Sequence, residues 1–174
     1  MPEEIKAPVL SYEQIRRAAD AFLSKHHPSR KLPIPIEEIV ELLLAIHIVP
    51  LPGLQETFEI EAFTTSDRRE IYVDDFVYKS RYRRYRFSLA HEVGHITLHK
   101  ELYDASQFQS VREWKHFITE FPADEYTWFE YQAYSFAGGR NLLGSGDPGP
   151  ERPRERASCG KDPRPSPTML VTGF

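Results

Sequence analysis

Residues 91–95 read His91-Glu92-Val93-Gly94-His95, two imidazoles four positions apart with a carboxylate beside the first. On an α-helix, positions i and i+4 lie on one face, a turn apart. Both rings can then reach a single metal ion. Glu92 is too close to the first ligand to swing onto that ion, but it can reach a water there. Zinc lowers the pKa of such a water to about 7, and a neighbouring carboxylate can take its proton. The pattern suits metal-assisted hydrolysis of a peptide bond, with His91 and His95 as ligands and Glu92 as base.

These residues require a helix to carry them. No proline interrupts residues 82–100, and Phe87, Ala90, Val93, Gly94, Thr97 and Leu98 recur at three- and four-residue spacings. That period predicts a helix buried on one side. Gly94 costs up to about 1 kcal/mol of helix propensity relative to Ala, which points to close packing beside the site.

A catalytic zinc takes three protein ligands and a water. His99 follows His95 by four residues. Over the two turns the helix rises about 12 Å and the azimuth drifts about 40° per step, so three rings do not converge easily. His99 is therefore expected to support a ligand, or to cap the helix end. The third ligand must come from another segment, and Glu101, Asp104, Glu113, Glu120, Asp124, Glu125 and Glu130 are the acids available. Glu130 stands out because it lies mid-helix in the stretch from Trp128 to Ala137, which is otherwise rich in aromatics. A carboxylate buried there unpaired would be costly, and a metal is a natural partner. His99, Tyr131 and Tyr134 are the nearby groups able to assist at an oxyanion.

The chain has 174 residues, 40% apolar and 13% aromatic, enough for one domain with a real core. A net charge of −4 gives no global sign of nucleic-acid or membrane binding. One cysteine, Cys159, makes neither an internal disulfide nor a thiolate metal site. The first residues lack a signal-peptide pattern and the apolar runs are too short for a bilayer, so a cytoplasmic protein is expected.

Residues 11–14 fit a capping box, and Ile15, Ala18, Ala19, Phe22 and Leu23 form the stripe of a first helix ending near Lys25. The adjacent His26 and His27 are expected in a solvated loop. A second helix is expected from Pro35, turning Ile36, Ile39, Val40, Leu43 and Leu44 inward. Alternation then predicts strands over residues 46–49, 58–63 and 71–73, a small, largely antiparallel sheet of three strands with His47 facing outward. The basic and aromatic run 81–86 is expected to be a solvated start of the metal helix. Further helices are expected over residues 111–118 and 123–137. The fold class is α+β, with a domain over 1–138 and a disordered Gly/Pro/Arg-rich tail over 139–174.

With those residues in place the chain resembles the ImmA/IrrE family of metallopeptidases. The family's first block has the pattern R-x-x-F-x-L-A-H-E-x-G-H-x-x-L-H, matched by Arg84, Phe87, Leu89, Ala90, His91, Glu92, Gly94, His95, Leu98 and His99. Its other block has the pattern E-x-x-A-N-x-F-A, matched by Glu130, Ala133, Phe136 and Ala137, with Tyr134 at the Asn position. The family's L-L-M-P segment has no full counterpart. The resemblance covers about residues 10 to 138 and implies a zincin-like fold. It implies Zn2+ on His91, His95 and Glu130, Glu92 as base, and cleavage of a helix-turn-helix, DNA-binding repressor. The competing reading is a non-catalytic zinc-binding regulatory domain or a remnant of such a peptidase.

Overall fold

The computed structural model describes residues 6–138, and the expectation of a tail over 139–174 lies outside them. Helix α1 (Tyr12–His26) starts at the expected capping box, where the Ser11 side chain accepts from the Gln14 amide and the Gln14 side chain accepts from the Ser11 amide. Its stripe Ile15, Ala19, Phe22 and Leu23 is buried. A short helix α2 (Ile36–Glu38) runs into a π-helical turn (Ile39–Leu43). Ile36, Ile39 and Val40 are buried as expected, but Leu43 is 56% exposed. The wider turn rotates the last residues of the stripe away from the core. Ala45 at φ 55° then ends the helix and sends the chain into β1 (His47–Leu51), with His47 exposed.

Alternation misled at residues 58–61. Leu54–Phe58 forms helix α3, Glu59 is left-handed at φ 59°, and the second strand β2 is only Ala62–Thr64. The cause is Asp74, whose carboxylate accepts from the Gln55 amide in the first turn of α3 and from the amides of Phe76 and Val77. One side chain thereby steadies α3 and caps the start of the helix after β3. Strand β3 (Glu70–Asp74) lies between the other two, antiparallel to β2 and parallel to β1. The sheet thus has three strands, but it is mixed rather than largely antiparallel, because α3 carries the chain across between β1 and β2.

Helix α4 (Asp75–Ser80) leads into α5 (Tyr82–Leu98), the helix holding His91, Glu92 and His95. Its first turns are less solvated than expected. Arg84 pairs with Glu61, Arg86 donates to the Ile34 carbonyl at 2.7 Å, and Tyr85 is buried, while Arg81, Tyr82 and Arg83 stay exposed. Thr97 is also exposed, but residues 87–95 are almost wholly enclosed. Helices α6 (Lys100–Asp104), α7 (Val111–Thr119) and α8 (Ala123–Ala137) follow. Helix α8 lies along α5, with α1 against both. The two helices come close at Gly94, where an added Cβ would stand 3.1 Å from the Cα and carbonyl oxygen of Ala133. One apolar cluster joins α1, α2, α5 and the end of α8, and a second gathers Leu54, Phe63, Tyr103, Trp114 and Phe129. No helix of the described residues is long and apolar enough to cross a membrane.

Candidate metal centre

Helix α5 aims His91 and His95 at α8, and the contact at Gly94 brings α8 near enough for Glu130 to meet them. His91 Nε2 and His95 Nε2 are 3.0 Å apart. Glu130 Oε2 is 3.2 Å from His91 Nε2, and Oε1 is 3.6 Å from His95 Nε2. A tetrahedral ion with ligand atoms at about 2.0–2.1 Å sets them about 3.3 Å apart. The imidazole nitrogens and the two carboxylate oxygens stand near that spacing, so the three side chains are gathered closely enough to hold one ion. Among the described residues this is the one such group of three. Glu125, the nearest rival acid on α8, points elsewhere and accepts from the Ala7 amide at 3.0 Å.

Electrostatics support the same grouping. Burial opposes the charged form of Glu130, but hydrogen bonds and charge from His91 and His95 outweigh it and hold the carboxyl far below its ordinary range. Burial likewise pulls His91 down, yet the hydrogen bond and charge of Glu130 leave it raised. Burial, then the charge of His95, pushes His99 well below its ordinary value, so its ring is neutral.

Glu92 is on the same helix, 4% exposed, and its Oε2 accepts from the Thr64 hydroxyl at 2.8 Å. Thr64 ends β2, so the sheet orients the carboxylate from across α5. His99 closes the helix as its C-cap, and its Nδ1 is 3.0 Å from His95 Nδ1. Tyr134 packs its ring on His91 at 4.5 Å. It supports the ligand through ring contact at the position where the family pattern carries an amide. Tyr131 turns away and stacks on Trp128 at 5.1 Å, a packing role.

Sequence reasoning missed Thr64, Gln132 and Tyr126. The Gln132 oxygen lies 3.2 Å from His99 Nε2. Burial, then the charge of Glu130, raises the Tyr126 hydroxyl, which lies one turn earlier on α8. The helical spacing from 126 to 130 was a usable signal. Thr64 carried none, since 28 residues separate it from Glu92.

Two neutralisable imidazoles, a carboxylate and a second carboxylate one residue after the first imidazole define a metallopeptidase-like domain. The chain belongs to the IrrE N-terminal-like domain family (peptidase M78), whose model matches residues 44–143, more than half of its length. No curated protein and no solved structure matches it.

Proposed function

We propose that the chain is a cytoplasmic zinc-dependent endopeptidase whose ion is held by His91, His95 and Glu130. The convergence of those three donors carries the reading, and the family supports it. Two imidazoles and a carboxylate are the donor set of several catalytic zinc sites. When bound, zinc would polarise a water and the scissile carbonyl. Glu92 accepts the water's proton and delivers it to the leaving amine. The Thr64 hydroxyl occupies one Glu92 oxygen and fixes the plane of the carboxylate, leaving the other oxygen for the proton. The ring of Tyr134 keeps His91 from turning away. The substrate is a protein, and the family resemblance favours a helix-turn-helix repressor.

The test is Glu92→Gln in the full chain. Zinc content and fold should be retained, with peptide hydrolysis reduced by about 10²–10⁴-fold. Loss of zinc from this variant would reassign Glu92 as a ligand. A parent chain that holds zinc and cleaves no candidate repressor or unfolded protein would favour the non-catalytic regulatory reading.

A further inference from the structure

His95 presents Nε2 to the metal position and Nδ1 to His99. Which nitrogen of His95 carries the proton decides whether its lone pair faces the metal, and the surrounding donors and acceptors answer this from the outside inwards. Pro8 offers only a carbonyl, which can accept but not donate. The Gln132 amide therefore turns its NH₂ towards Pro8, at 2.6 Å, and its oxygen towards His99. Trp128 Nε1 donates to the same carbonyl at 3.1 Å, filling its second lone pair. An amide oxygen cannot donate, so His99 Nε2 must carry the hydrogen in the 3.2 Å contact. The contact between the two Nδ1 atoms needs one donor and one acceptor, and with the hydrogen of His99 on Nε2 the donor across 3.0 Å is His95 Nδ1. Nε2 of His95 is then the nitrogen turned towards His91 and Glu130, where the metal would sit.

We propose that His99 and Gln132 form a positioning relay, anchored on the Pro8 carbonyl, that locks His95 in its Nδ1–H tautomer and so keeps its Nε2 ready for the metal. Hydrogen bonding at the remote nitrogen of a ligand histidine generally fixes tautomer and ring orientation. Here the partner is a second imidazole, itself fixed by an amide. The relay also ties the metal centre to the segment before α1, because Ala7 and Pro8 are held across α8 by Glu125, Trp128 and Gln132. His91 lacks such a lock, since its Nδ1 is buried without a hydrogen-bond partner.

The relay rests on His95 being a ligand but not on hydrolysis, and its test needs no substrate. Imidazole ¹⁵N NMR on the full chain, with and without zinc, should show His95 protonated on Nδ1 and His99 on Nε2, with nitrogen–nitrogen coupling through the hydrogen bond between them. Gln132→Leu removes the only acceptor that the described residues offer His99 Nε2–H, frees His99 to reverse its tautomer, and should weaken zinc binding about 10–100-fold. Thr127→Ala, on the same helix and outside the relay, should leave both tautomers and zinc affinity in place. His99 protonated on Nδ1, or His95 without a proton on Nδ1, would overturn the proposal whatever the variants do. So would unchanged zinc affinity in Gln132→Leu. A chain that shows the expected tautomers but hydrolyses nothing would defeat the peptidase reading and leave the relay standing.

Discussion

Thr64 brings a single hydroxyl from a distant strand to Glu92, the residue proposed as base. Its bond to Glu92 is buried, and the acceptor is a carboxylate. Hydrogen bonds to charged groups contribute roughly 1.5–3 kcal/mol. Thr64→Val keeps the shape and removes the donor, and it should lower kcat by on the order of tenfold or more with zinc content unchanged. Thr64→Ser should restore most of the rate. Equal kcat in parent and Val variant would show that Glu92 needs no such support. His91, Glu92 and His95 were legible because helical geometry converts their spacing into proximity. Glu130 was legible because an acid in an aromatic stretch needs a partner. Thr64 and Gln132 were not, because their contacts depend on how the sheet and α8 dock on α5, which no local pattern encodes.

At the scale of elements, the contact between α5 and α8 is the critical one, because it sets the position of Glu130 relative to the histidines. Gly94→Ala gains up to about 1 kcal/mol of helix propensity. Its Cβ would press on the Ala133 backbone and on Phe136 Cβ at 3.3 Å. Backbone on a packed helix yields poorly, and overpacking costs typically about 1–3 kcal/mol. The variant should melt lower and bind zinc more weakly, by displacement of Glu130. An unchanged melting temperature and zinc affinity would show that α8 can shift freely. Helix α1 was readable from its capping box at Ser11 and α5 from its apolar period, whereas the capping box that Ser110 opens at α7 was passed over. The π-helical turn and α3 were not readable. A five-residue hydrogen-bond step leaves no distinct apolar period, and α3 depends on Asp74, which lies 19 residues beyond Gln55.

For the whole molecule, the metal and the proton compete for the same atoms. Without metal, burial opposes the charge on His91, but Glu130 raises it. A raised imidazole stabilises fully below its unfolded value of 6.5 and loses that contribution as pH rises through the folded value. Glu130, held low, contributes above its unfolded 4.5 and loses it as pH falls through the folded value. The pair thus steadies the metal-free domain between those unfolded values, whereas zinc needs the imidazoles neutral. The rise in melting temperature on adding zinc should therefore grow as pH climbs from about 5.5 to about 7.5. A gain largest at the acidic end would mean that the ion binds elsewhere. The most direct measurement is the zinc content of the purified full chain and its single-site variants. The parent, Glu92→Gln and Glu125→Ala should each hold about one ion per chain, and His91→Ala and Glu130→Ala should lose it under the same dialysis. Glu130→Ala retaining zinc like the parent, or Glu125→Ala alone losing it, would contradict the centre described here.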